Sequence, residues 1–134
     1  MHRYTVELRI QGDELDLEEV TNSLRMSPTQ VRRKGGYRSE NSTWPENMWA
    51  FEVLPPGKTD WASLNDALTE LLLKLSPVRD QILRYSQANM VCLWCGHFTS
   101  SFDGGPTLSA ALLKSLGDFG VRLELGTHCV DPSK

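Results

Sequence analysis

Tyr4-Thr-Val-Glu-Leu-Arg-Ile10 sets Tyr4, Val6, Leu8 and Ile10 at every second position, with Thr5, Glu7 and Arg9 between them. Only extended backbone sorts side chains with a period of two, so the segment predicts a strand with one buried and one polar face. Gly12-Asp13 ends it, and the period changes at once. Asp16 with Glu19 three residues on forms a capping box, and Leu15 with Val20 has the spacing of a hydrophobic staple. Leu17, Val20, Thr21 and Leu24 then share one helical face, and Pro28 stops the helix because the residue before proline resists helical geometry. A half-buried strand running straight into an amphipathic helix points to a mixed α+β domain.

The same grammar recurs downstream. Met48–Leu54 puts Trp49, Phe51 and Val53 on one strand face before Pro55-Pro56-Gly57. Thr59 or Asp60 can cap a longer helix over residues 60–75, whose Trp61, Leu64, Leu68, Leu71, Leu72 and Leu75 form a wide apolar stripe. Pro77 breaks it, and 78–85 predicts a further turn or two. Met90–Phe98 is apolar on both faces, as a covered central strand would be. Leu108, Leu112, Leu113 and Leu116 mark a third helix, stopped by Gly117 or Gly120. Val121, Leu123 and Leu125 alternate with Arg122 and Glu124 as a last strand.

Two strand–helix–strand units joined by a helix bury every stripe if the helices cover one sheet face. Residues 1–134 are therefore expected to form a single domain, a ferredoxin-like sandwich with a four-stranded, mainly antiparallel sheet and one extra inserted helix. Glu7, Arg9, Glu52, Arg122 and Glu124 fall on the opposite, solvated face.

The 134 residues carry a net charge of −3, which argues against a dedicated nucleic-acid binder. The charge is unevenly spread: Asp13, Glu14, Asp16, Glu18 and Glu19 crowd together, while Arg25, Arg32, Arg33, Lys34 and Arg38 follow with no acid between them. Such separation suits a protein partner or an anionic small molecule. Leu71-Leu72-Leu73 is too short an apolar run to span a bilayer, and the charged N-terminus lacks a signal core. Three cysteines, an odd count, do not read as a disulfide framework, so a reduced, cytoplasmic protein is expected.

Residues 26–47 show neither helical nor strand periodicity, and a long irregular loop in a compact domain is usually functional or disordered. Gly35 and Gly36 permit positive backbone dihedrals and close approach to a ligand. Arg32, Arg33, Lys34 and Arg38 can grip carboxylates or phosphates, arginine in bidentate fashion. Tyr37, Trp44 and Trp49 are residue types enriched in interface hot spots. The bland alternative is a solvated loop whose cations balance Asp16, Glu18 and Glu19.

Leu24-Arg-Met-Ser-Pro-Thr29, Arg33-Lys-Gly35 and Trp49-Ala-Phe-Glu-Val53 resemble a bacterial family, domain of unknown function 4279, in a layout that covers nearly the whole chain. The chain departs from that pattern in the length of its Tyr37–Asn47 linker. The resemblance implies no activity and no catalytic residues; for some relatives it implies an immunity role, binding and neutralising a toxin.

Other motifs read more plainly. Cys92-Leu-Trp-Cys95 suggests zinc or redox chemistry, but residues three apart on a strand face opposite ways, and in the expected strand order another strand, about 10 Å of sheet, separates residue 97 from His128 and Cys129. Buried structural cysteines are the default. Cys95 and His97 share a face, as a thiolate–imidazole pair would, yet no residue is placed to orient the imidazole. His2 reads as terminal and solvated. Asp118-Phe-Gly120 matches a kinase triplet by letters only and serves as a helix stop. Trp94 and Phe98 on one strand face fit core packing or, alternatively, base stacking.

The expectation is a non-catalytic protein-binding module without metal or cofactor. It is of toxin-neutralising or regulatory type and docks an acidic partner through residues 32–49. The alternative is a nucleic-acid module using the same loop with Trp94 and Phe98. Neither involves a membrane, and a homodimer through a sheet edge or the open face is compatible with both.

Overall fold

The structure, a computed structural model, describes residues 1–131. β1 (His2–Gly12) alternates as its sequence requires, with Val6, Leu8 and Ile10 fully buried. α1 (Leu17–Leu24) begins where Asp16 accepts a hydrogen bond from the Glu19 N–H at 3.1 Å and ends on Arg25 in the left-handed region. β2 (Gln30–Arg32), β3 (Tyr37–Ser39) and β4 (Ser42–Thr43) follow, then β5 (Asn47–Val53). α2 (Leu64–Leu75) continues through a 3-10 turn (Ser76–Val78) into α3 (Arg79–Tyr85). β6 (Met90–Thr99), α4 (Ala110–Phe119) and β7 (Arg122–Cys129) complete the order.

The fold is α+β, built on a five-stranded mixed sheet of order β2-β5-β1-β6-β7, with β3 and β4 as a separate ladder. β1 is central and antiparallel to both β5 and β6; β2 adds antiparallel to β5, and β7 lies parallel to β6. This departs from the expected four-stranded, ferredoxin-like arrangement. The fifth strand is β2, which the periodicity gave no sign of. Both flanks of β1 are filled, by β5 and β6, and a helix-linked crossover returns its strand in parallel, so α4 delivers β7 to the free side of β6. No strand lies between residues 97 and 128: Phe98 is directly opposite His128.

α2 starts later than its sequence suggests. Ser63, not Thr59 or Asp60, caps it, accepting from the Asp66 N–H at 3.1 Å. The chain before it is held instead by Trp61, whose N–H and C=O pair with those of Tyr4 at 2.8 and 2.9 Å and whose indole donates to the Val53 carbonyl.

One core cluster joins the helix-facing side of the sheet to all four helices: Tyr4, Val6, Leu8, Ile10, Trp49, Leu93 and Cys95 meet the leucines of α1, α2 and α4 and Ile82 of α3. Each such leucine contributes roughly 1.5–3 kcal/mol on burial. The far side of the sheet carries no helix. β7 is an exposed edge, with Leu123 and Leu125 still 37% and 46% accessible. Among the described residues no helix is long and apolar enough to cross a membrane.

Candidate functional site

The basic stretch is ordered. Thr29 anchors it, donating its N–H to the Ala50 carbonyl at 2.8 Å and accepting from the Glu52 N–H on its hydroxyl. After β2 the chain turns at Arg33–Gly36, with Gly35 at φ +82°, a conformation that L side chains adopt at a cost. Gly35 N–H donates to the Trp44 carbonyl and Trp44 N–H to the Gly36 carbonyl, both at 2.9 Å, which closes the base of the β3–β4 hairpin. Asn47 clamps the hairpin to the body, accepting from the Lys34 N–H at 2.7 Å and donating to the Leu15 carbonyl at 2.9 Å.

The nine residues expected to form the contact surface divide. Trp49 is fully buried, its indole N–H bonded to the Thr21 hydroxyl at 3.0 Å, and belongs to the core. Arg33 pairs with Glu18 at 2.7 Å, a bond that holds the Glu18 carboxyl below its usual range, and Lys34 reaches Asp13 at 3.4 Å. Those two cations are turned back on the acids before and within α1. Gly35 and Gly36 shape the turn. Tyr37 stands out into solvent, 80% exposed.

Arg32, Arg38 and Trp44 remain, and they come together. The Arg32 guanidinium lies 4.1 Å from the Trp44 ring centroid and that of Arg38 5.1 Å. With Gln11, Pro45, Glu46 and Met48 they line a pocket of about 220 Å³ on the helix-free side of the sheet. Neither arginine has a carboxylate at ion-pair distance among the described residues, and the Arg32 Nε is buried with no hydrogen-bond partner. An unmade bond to a buried donor costs about 1–3 kcal/mol. Burial first, then repulsion from Arg9 and Arg38, partly offset by Glu7, pull the Arg32 pKa below arginine's usual value. The group stays charged at neutral pH.

Beyond the pocket the open face alternates in sign by rows. Glu52, Glu7 and Glu124 line up across the strands with Trp94, and the next row holds Arg9, Cys92 and Arg122. Arg9 bonds Glu7 at 2.6 Å and lies over Trp94, and Arg122 pairs with Glu124. Burial and the nearby Glu7 raise the Glu52 carboxyl. Trp94 lies across Gly126, where a Cβ would come within 2.7 Å of the ring, and Phe98 stacks on His128 at 5.0 Å.

The thiols are placed for packing. Cys95 is buried in the core and Cys92 on the other face, and burial pushes them up to about 12 and about 11, so both are protonated at neutral pH and poor nucleophiles. His97 does not turn to Cys95: it bonds His2 at 2.8 Å and stacks on Tyr4 at 4.8 Å. His2 is thus engaged, bonding the Asp103 carbonyl through its other nitrogen. Among the described residues no three His, Cys, Asp or Glu side chains converge as a metal site would require. A second concavity, about 530 Å³ between α2 and α4, is lined by Leu72, Leu112, Phe119 and their neighbours. Nothing in the periodicity announced it, because it is a gap between two stripes and not a pattern within one.

A family model described as Domain of unknown function (DUF4279) matches residues 2–130. No curated protein and no solved structure matches the chain.

Proposed function

Since the chain belongs to the DUF4279 family, whose description assigns no activity, we propose from its own chemistry that it is a non-catalytic binding module, of toxin-neutralising or regulatory type, that docks an acidic protein surface. The carrying observation is the Arg32–Trp44–Arg38 cluster: two guanidiniums on one indole, without carboxylates of their own, with the exposed Tyr37 next to Arg38 along β3. Arginines of this kind steer an acidic partner, and burial of Trp44 and Tyr37 on contact supplies the short-range energy. A bacterial cytoplasm suits three free cysteines, two of them buried.

The test is capture from native lysate followed by association kinetics with the captured partner. Arg32→Ala with Arg38→Ala is expected to slow association by tenfold or more at low salt, with most of the difference gone at high salt. Arg33→Ala, already neutralised by Glu18, is expected to do little. Equal association rates for wild type and the double variant would reject this reading.

A second reading rests on Trp94 and the Phe98–His128 stack, which offer aromatic faces on an open sheet as in sheet-based RNA binders. The row of Glu52, Glu7 and Glu124 beside them opposes a polyanion. Absence of any shift with single-stranded RNA at low salt would remove this alternative.

A further inference from the structure

We propose that the pocket bounded by Arg32, Arg38, Trp44, Gln11 and Glu46 is a receptor for a single carboxylate, the side chain of an aspartate or glutamate on the docking partner. The inference rests on the docking reading for what delivers that group, while the affinity of the pocket for a carboxylate can be measured alone.

Three features of the site carry it. The first is the direction of the donors. A guanidinium stacked on an indole has its flat faces engaged, but all five of its N–H groups lie in its own plane. Both guanidinium carbons lie over the Trp44 ring, at 4.1 and 5.1 Å from its centroid, and the Arg32 Nε–H is already withdrawn from water without an acceptor. A planar acceptor with two oxygens satisfies such a set, and Gln11 lines the same cavity with a further amide.

The second is charge. Arg32 and Arg38 bring two positive charges and Glu46 one negative, so the lining is singly positive. That matches one carboxylate. A phosphate monoester carries about −1.5 to −2 at neutral pH and would sit against Glu46 with charge in excess. Arg9 and Arg38 both repel the Arg32 guanidinium, and a monoanion in the pocket offsets that repulsion.

The third is shape. At about 220 Å³ the cavity accepts a side-chain terminus and not an extended ligand. The buried Met48 and Pro45 contribute apolar lining among its polar groups, and where the Arg32 Nε–H is already cut off from water a bond from it to a carboxylate is strengthened.

The experiment follows the Arg32 Nε–H and Trp44 indole N–H signals by NMR in the full-length ¹⁵N-labelled protein. The titrants are a capped tetraglutamate peptide, inorganic phosphate and sodium chloride at matched ionic strength. Saturable movement of both signals with the peptide is expected, with phosphate at least tenfold weaker and chloride inert. Arg32→Lys keeps the charge and removes the buried Nε donor; read at the Trp44 indole, it is expected to lose tenfold or more in affinity. Phosphate binding as tightly as the peptide, an unchanged Arg32→Lys affinity, or linear movement without saturation would each overturn the proposal. Peptide binding that saturates while the captured partner ignores Arg32→Ala with Arg38→Ala would keep the pocket and sink the docking reading. The reverse pattern would sink the pocket alone.

Discussion

His97 shows how far a single side chain can be removed from the role its letters suggest. Burial, and then the neighbouring His2, lower its pKa from the ordinary 6.5. The unfolded chain therefore binds more protons than the native one between those two values, and stability rises with pH across that window. The contribution is whole above about pH 6.5 and is lost as pH falls below it toward the folded value. Urea midpoints at pH 5 and pH 7.5 should differ in wild type, and His97→Asn should narrow the gap; an equal gap would show that acid acts elsewhere. Cys129 is exposed while Cys92 and Cys95 are buried with raised pKa values, so a thiol reagent at neutral pH should find one fast site and two slow ones in the native protein. Trp49 is legible in the sequence as an apolar strand position, yet only its neighbours in sequence, Trp44 and the arginines, suggest a contact role for it. Its hydrogen-bond partner, Thr21, sits on another element, and no local pattern reports such a pairing. Thr21→Val keeps the shape and orphans the indole, which should cost about 1–3 kcal/mol in denaturant unfolding.

At the scale of elements, what the residues announce depends on how many take part. β1 and α1 declare themselves because eleven and eight residues repeat a period, and Asp16 caps through a bond three residues away. β2, β3 and β4 have three, three and two residues, too few to display a period of two, and so read as an irregular loop. Their order comes from partners: β2 borrows β5, and the hairpin is closed by Gly35, Gly36 and Trp44. The start of α2 was ambiguous for a related reason, since Thr59, Asp60 and Ser63 are all competent caps and a distant pairing, Tyr4 with Trp61, decides among them. The turn makes a sharp prediction. A Cβ at Gly35 meets open space, so Gly35→Ala should cost only the left-handed backbone term, about 1–2 kcal/mol. That cost should appear locally, as faster hydrogen exchange at the Trp44 amide, with little change in the exchange of β1.

For the molecule as a whole, the apolar stripes constrained the class of fold and not the wiring. Every order of strands that keeps Tyr4, Trp49 and Leu93 under the helices satisfies the same periodicity, and only the long-range pairings separate them. The candidate site was half legible: its arginines and Trp44 were visible as composition, but their division into neutralised and unneutralised cations depends on how α1 and the hairpin face each other. The observed order implies a gradient of protection. β1 is held on both sides, whereas β7 has one neighbour and little cover. Amide exchange should be slowest in β1 and faster in the two edge strands, β2 and β7; uniform protection would contradict the edge assignment.

The parallel return of β7 also has a meaning in time. β1, β5 and β6 can zip together as soon as each has left the ribosome, but the outer rim of β6 stays bare until the stretch containing α4 has been made and has wrapped back. During that interval the nascent protein shows a ragged hem of unsatisfied amides, and a sister chain or a chaperone arriving then would find its easiest grip there.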